Sequence, residues 1–280
     1  MTAMGSPTLP VLSSAANPRV RATIALRERR QRDLTGQTLV DGARELRRAL
    51  DAGVTVVEAF VCEPLLAGPD ARAALDRLRE RGTPIRPVSE TVFAKLAFGE
   101  RAEGLLAVVR IPSTDLADIT LPDDPLVVVI EGVEKPGNLG AVLRSADGAG
   151  ADAVVAASPR TDLFNPNAIR ASAGTMFTVR TGAGSTLDVL AWLREHGVRI
   201  VAARVGAGRR YTEVDLTGPL AIVLGAEADG LTDAWAADGV EAVCLPMLGV
   251  ADSLNVSISA AILLYEARRQ RGLPLPARKE

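Results

Sequence analysis

The amino-acid sequence predicts an α/β protein in two parts. Three observations point there. Strand-like and helix-like segments alternate along the chain, the pattern of sheets covered by helices. Residues 126–130 read LVVVI, the unbroken apolar run expected of a strand buried on both faces of a parallel sheet. Residues 111–125 (IPSTDLADITLPDDP) carry three prolines and four aspartates. Proline stops helices and central strands, so this stretch reads as a linker.

Residues 1–13 have no period and read as a disordered tail. A helix begins after Asn17, an N-cap followed by Pro18 in the first helical position. Residues 39–40 form a short strand and 43–52 a helix. Residues 55–61 are β-branched and strand-like. Helical spacing runs over 70–81 (Ala74, Leu75, Leu78) and stops at Gly82. A strand at 85–88, a helix at 90–97 and a strand at 104–110 complete a first domain over 14–110. After the linker, strands are expected at 126–130, 153–156, 176–179, 199–203, 220–224 and 242–245. Helices are expected at 139–148, 166–173, 187–195 and 255–271. These form a second domain over 126–272, with a tail at 273–280. The strand–helix alternation implies a mostly parallel sheet, whose ligands bind beyond the carboxyl ends of its strands.

Composition narrows the function classes. Aromatic residues are 3% of the 280, so the core must come from Ala, Val, Leu and Ile. Two cysteines, Cys62 and Cys244, build neither a disulfide scaffold nor a cysteine zinc site. His196, the single histidine, offers no cluster for a metal. No apolar run reaches the roughly 18–20 residues of a membrane helix, and MTAMGSPTLP lacks the features of a secretory leader. A soluble cytoplasmic α/β protein is the expectation. The net charge of −2 conceals six arginines between Asn17 and Arg32: Arg19, Arg21, Arg27, Arg29, Arg30 and Arg32. They read either as a dock for a polyanion or as a solvated helix face.

Common nucleotide signatures fail. Gly225 and Gly230 have the spacing of a phosphate loop, but Leu231 and Thr232 stand where Lys-Ser/Thr is needed. The glycines of EGVEKPGNLG (131–140) do not form G-x-G-x-x-G. Gly182 and Gly184 read as turn glycines. Three other segments carry more. In GNLGAVLR (137–144), Asn138 sits where a helix cap is expected, and Arg144 shares a helix face with Gly140, Ala141 and Gly148. In VLGAEADGL (223–231) an apolar strand runs into a loop containing Glu227. In LPMLGVADSLNVS (245–257) another strand ends in a Pro/Gly loop that enters a helix through Ser253 and Asn255.

In this order and spacing, the three segments resemble the signature of the SpoU/TrmH-type RNA 2′-O-ribose methyltransferases of the SPOUT superfamily. Asn165-Pro166 followed by Ser172-Ala173-Gly174 is similar to the family's intervening stretch, and residues 14–50 look like its N-terminal substrate-binding domain. The resemblance covers residues 14–272. It implies a trefoil-knotted parallel-sheet domain, a smaller RNA-binding α/β domain and a homodimer. It implies S-adenosyl-L-methionine as cofactor, with Ala203, Leu224, Gly225, Leu245, Met247 and Leu254 around it. By the same resemblance Asn138, Arg144, Glu227, Ser253 and Asn255 are the catalytic positions, with Arg144 either base or phosphate anchor. Ser253 alternatively caps the last helix. Arg19, Arg27, Arg29 and Arg30 are the candidate RNA contacts. The implied activity is methylation of a ribose 2′-hydroxyl in 23S rRNA, with an antibiotic-resistance modification within its scope. The alternatives are a tRNA 2′-O-methyltransferase and a non-catalytic RNA-binding or ribosome-assembly protein on the same fold.

Overall fold

The computed structural model describes residues 10–98, 103–226 and 229–272. Along the chain, α1 is Pro18–Ala25, α2 Arg29–Thr35, β1 Gln37–Asp41, α3 Ala43–Asp51, β2 Val56–Val61, α4 Gly68–Glu80, β3 Ile85–Pro87, α5 Glu90–Leu96 and β4 Leu105–Arg110. There follow β5 Leu126–Glu131, α6 Pro136–Gly148, β6 Ala153–Ala157, α7 Pro166–Ala171, β7 Arg180–Gly184 and α8 Thr186–Glu195. The last elements are β8 Arg199–Ala203, β9 Leu220–Leu224, β10 Val240–Val243 and α9 Val256–Arg271. Two compact units result, one of residues up to 112 together with 164–177, the other of 113–163 and 178 onward.

The first unit holds a four-stranded sheet in the order β1-β4-β2-β3. β4 runs antiparallel to β1 and β2, while β3 pairs parallel with β2. Leu39, Phe60, Leu106 and Val108 pack against Val20, Leu26, Phe93 and Leu96 from α1, its C-terminal end and α5. Asn17 caps α1 as expected, accepting from the Arg19 N–H at 2.9 Å. The arginine-rich helix is nevertheless two helices. Arg32 is buried, and its Nη1 donates to the Leu26 and Arg27 carbonyls at 2.8 and 2.6 Å. These are carbonyls at the end of α1 that a continuing helix would have used itself.

The stretch 164–177 packs with this first unit, although it lies between strands of the second in sequence. Thr38 Oγ1 donates to the Phe164 carbonyl at 2.7 Å and Arg48 Nη1 to that of Ala173 at 2.6 Å. Arg170 lies 3.7 Å from the buried Asp41 carboxylate. These partners are more than 100 residues apart in sequence, and no local pattern announces them.

The second unit is a six-stranded sheet, order β10-β8-β9-β5-β6-β7, parallel at every pairing. All six residues of β5 are buried, as its apolar run required. On one face Val127, Val129, Val155, Leu193, Ile200 and Trp235 form a core; α6 and α9 pack together, and α9 also lies on β9.

Two expectations are corrected here. The strand expected at 176–179 lies at 180–184, and residues 175–177 form a short 3₁₀ helix. Residues 113–119 are not a free linker but pack on that strand. A 3₁₀ turn at 116–118 lays Leu116 and Ile119 across β7. A Cβ at Gly182 would stand 2.6 Å from Ile119 Cδ1 and 2.9 Å from Leu116 Cδ2. The glycines read as turn residues are therefore what admits this covering segment onto an edge strand.

Candidate functional site

Parallel pairing sends every strand of the second sheet out at the same edge. The register sets Ile130 beside Leu224, and Val243 beside Ala203. Ala203, Leu224 and Gly225 thus end β8 and β9, and Leu245 and Met247 follow β10 closely. Leu224 is buried; Ala203, Gly225, Leu245 and Met247 are half-buried, and Leu254 is exposed. Farther out on these loops Val205, Leu248 and Val250 are fully or largely solvent-facing. Apolar side chains in that state make a surface suited to an apolar ligand or another protein surface.

The loop after β9 closes on itself. Ala226 and Gly230 form an antiparallel bridge, with the Gly230 N–H donating to the Ala226 carbonyl at 3.0 Å. A Cβ on Gly225 would overlap the Gly230 carbonyl and come within 2.5 Å of the Leu231 nitrogen. Only glycine permits this approach of two backbone limbs. Beside it lies a cavity of about 230 Å³ lined by Ile130, Val133, Glu134, Lys135, Asn138, Gly225, Ala226 and Val256. It sits where the carboxyl ends of β5 and β9 meet the starts of α6 and α9, the edge at which ligands of parallel sheets collect.

The polar candidates divide. Asn138 is not the helix cap: α6 starts at Pro136, Lys135 is its N-cap, and Asn138 belongs to the first turn. Its Oδ1 accepts from Asn255 Nδ2 at 3.2 Å. Asn255 caps α9, its Oδ1 accepting from the Ser257 N–H at 2.9 Å and hydroxyl at 2.7 Å. One side chain therefore ends a helix and reaches across to α6. Ser253 is exposed, two residues ahead of that cap, so it does not cap the helix. Arg144 is exposed on α6. Glu227 lies outside the described residues.

Charged groups that the motifs did not flag hold this edge together. Glu131, the last residue of β5, is buried. Its Oε1 accepts from the Thr186 and Thr232 hydroxyls at 2.7 and 2.8 Å, and its Oε2 from the Thr232 N–H at 2.8 Å. Arg160 pairs with Glu134 and, at 2.9 Å, with Asp229. These two hydrogen bonds raise its pKa above the ordinary guanidinium value. The one sequence signal was an acid closing an otherwise apolar strand.

The basic segment is less open than its composition suggested. Arg27 Nη2 donates to the carbonyls of Lys95, Leu96 and Ala97 at 2.7, 2.9 and 3.0 Å, so it closes the end of α5. Arg19 lies 3.5 Å from Glu58, and Arg29 3.6 Å from Asp33. Arg21 and Arg30 are exposed. A polar cavity of about 620 Å³ elsewhere in the first unit is lined by Arg44, Glu45, Asp70, Glu103 and Arg170 among others. It contains none of the expected site residues.

Residues 125–265 match the SpoU rRNA methylase family. The chain belongs to that family. Residues 17–107 match the MRM3-like substrate binding domain. The chain is 30% identical over 260 residues to the Bacillus subtilis 23S rRNA (guanosine(2553)-2′-O)-methyltransferase, covering 92% of this chain and 98% of that one. A crystal structure described as an RNA 2′-O ribose methyltransferase is 44% identical, with a TM-score of 0.83, covering 94% of this chain and all of the other. The AdoMet-bound rRNA methyltransferase of Sinorhizobium meliloti is 28% identical, with a TM-score of 0.84 over 93% of this chain and 97% of that one. The family membership and the two-part α/β architecture expected from the sequence are both met.

The two functions of Asn255 can be separated by substitution. Asn255→Ala loses the cap and costs about 1 kcal/mol, seen as a lower Tm in thermal denaturation. Asn255→Asp keeps a capping oxygen but turns an acceptor toward Asn138. It should hold Tm near wild type and still lower turnover; unchanged turnover in both variants would remove the Asn138–Asn255 contact from the site.

Proposed function

We propose that this chain methylates a ribose 2′-hydroxyl of 23S rRNA with S-adenosylmethionine, using the loops at the carboxyl ends of β5, β8, β9 and β10. The observation that carries the reading is the convergence of the three motif segments on one sheet edge, with Asn138, Gly225 and Val256 around one cavity. The family is one of RNA 2′-O-methyltransferases, and the B. subtilis relative is named for 23S rRNA. The polar set at 138, 144 and 255 is intact, which favours an enzyme over a silent RNA-binding relative.

The residues suit the donor. Ala203, Leu224, Gly225, Leu245, Met247 and Leu254 offer backbone groups and apolar surface, which suit a nucleoside sulfonium that carries no phosphate. The close approach at Gly225 holds the loop backbone against Gly230 and Leu231, where any Cβ would collide with it. When bound, S-adenosylmethionine supplies an electrophilic methyl group. The cavity beside Asn138, about 230 Å³, is below the roughly 300 Å³ of sites for larger ligands, and we assign it to the place where donor and acceptor ribose meet, with Gly225 on the donor side and Asn138 on the acceptor side. Asn138, held by Asn255, orients the sugar, so alignment contributes to the rate. Arg144 is exposed, makes no ion pair among the described residues, and as a guanidinium stays protonated. We therefore assign it to the phosphate next to the reacting ribose rather than to proton removal. Glu227 keeps the role its motif implies, contact with the arginine or a substrate group.

In the same reading a second copy of the chain covers the apolar surface of Ile258 and Tyr265 on α9 and of Leu248 and Val250. The knot implied by the resemblance involves the loops after β9 and β10. Ribosomal RNA as substrate makes the cytoplasm the place of action. Within the basic segment 19–32, Arg21 and Arg30 are the exposed arginines best placed to meet RNA phosphates, with Arg19 and Arg29 beside them.

Three measurements test these assignments. Arg144→Ala should lower kcat about 10²-fold or more at unchanged S-adenosylhomocysteine affinity, and Arg144→Lys should restore part of it as a point charge on phosphate. Wild-type turnover in Arg144→Ala would sink the assignment. The double reversal Arg21→Glu, Arg30→Glu should weaken rRNA binding and flatten its salt dependence, leaving the Tm unchanged; an unaltered salt slope would exclude these arginines. Light scattering should find a dimer that Ile258→Asp with Tyr265→Asp converts to monomer, whereas a wild-type monomer with full activity would remove the dimer.

A further inference from the structure

Glu131 is the one charged residue buried as a whole among the described residues of the second unit. A carboxylate leaves water at a large cost unless hydrogen bonds replace its hydration. Here three donors do so, two of them from a single residue, Thr232. The opposite side of the same residue has a charged partner as well. Arg204, directly after β8, donates from Nη2 to the Thr232 carbonyl at 2.7 Å and from Nη1 to the Leu231 carbonyl at 3.4 Å. Thr232 thus has an acid at its N–H and a guanidinium at its C=O, each matched in sign to the group it holds. Such charge-assisted bonds are about twice as strong as neutral ones.

What Thr232 anchors is the return limb of the loop after β9, at the point where it enters a 3₁₀ turn at 233–236. Leu231, its neighbour, is the residue whose nitrogen packs against Gly225. Gly225 in turn lines the cavity with Asn138 and Val256, while Glu131, Arg204 and Thr232 do not line it. Contacts therefore run from Glu131 and Arg204 through Thr232 and Leu231 to Gly225. Thr186, at the start of α8, ties the same carboxylate to the exit of β7.

We propose that Glu131 and Arg204 are positioning residues for the methyl-donor site, clamping the Thr232 peptide from both ends so that Gly225 keeps its close approach to Gly230 and Leu231. This rests on the reading of Gly225 as part of the donor site. The clamp acts on donor affinity through the backbone, not on the acceptor or the chemistry.

The test compares Glu131→Gln, Arg204→Lys and Thr232→Val with wild type in three measurements. Calorimetry with S-adenosylhomocysteine should show affinity reduced about tenfold by Glu131→Gln, whose amide turns a donor toward donors. Arg204→Lys, which loses the planar fork, and Thr232→Val, which keeps the N–H, should each lower it about threefold. Amide hydrogen exchange in the ligand-free protein should speed up at Leu231 and Thr232 in all three variants while the β5 and β9 amides stay protected. Steady-state kinetics on unmodified 23S rRNA should raise KM for the donor, with kcat at saturating donor and KM for RNA within about twofold of wild type. If Glu131→Gln does not fold, the two milder variants carry the comparison. Wild-type protein that fails to bind S-adenosylhomocysteine overturns the donor-site reading and the proposal with it. Wild type that binds, beside variants that bind equally well and exchange equally slowly, overturns the clamp alone. An equal loss of donor affinity, RNA affinity and kcat also overturns it, since that is the mark of general destabilisation.

Discussion

Parallel pairing of β9 with β5 on one side and β8 on the other is the constraint on which the rest of the second unit depends. An antiparallel neighbour would send its exit to the far end of the sheet. With all strands parallel, the loops after Ala203, Leu224 and Val243, and the turn after Glu131 into α6, emerge at one edge. Segments separated by about a hundred positions become neighbours without any side chain having to specify it. The cost of a parallel sheet is burial on both faces, which is why β5, β6 and β9 are apolar throughout apart from Glu131.

That exception has a physical meaning. Loops at a sheet edge lose the ladder bonds that hold strands, so their geometry must come from elsewhere. Here it comes from charge: Glu131 on hydroxyl and amide donors, Arg204 on carbonyls, Arg160 between Glu134 and Asp229. Asn255 does a related job with a neutral amide, joining the first turn of α9 to that of α6. A site made mainly of backbone and small side chains can be built this way, because polar groups just outside its walls set where those walls stand. For a methyl transfer, which requires alignment more than acid–base strength, such placement is the main thing a protein can contribute.

The first unit uses its arginines differently from what their number suggests. Arg27 and Arg32 are spent on carbonyls at helix ends, a donor-rich solution to the acceptors that every helix leaves unsatisfied. The side chains that remain outward, Arg21 and Arg30 foremost, are fewer than the charge run implies. Counting cations along a sequence overestimates a docking surface whenever the same cations also close the local fold.

Most elements were readable before any coordinates, because their causes are local. Asn17-Pro18 caps a helix, Gly82 follows one, and the run at 126–130 reads as a strand covered on both faces. The three motif segments were also readable, since their residues are close in sequence within each loop. Tertiary structure decided what depends on distant partners. Gly182 and Gly184 looked like turn residues because the side chains that need their space, Leu116 and Ile119, come from a stretch read as linker. Residues 164–177 joined the first unit through bonds to Thr38 and Arg48 that no periodicity encodes. Glu131, Arg204 and Thr232 each look ordinary in sequence. Their importance lies in meeting at one peptide, and a hydrogen bond between residues 101 positions apart exists only once the sheet has brought them within reach.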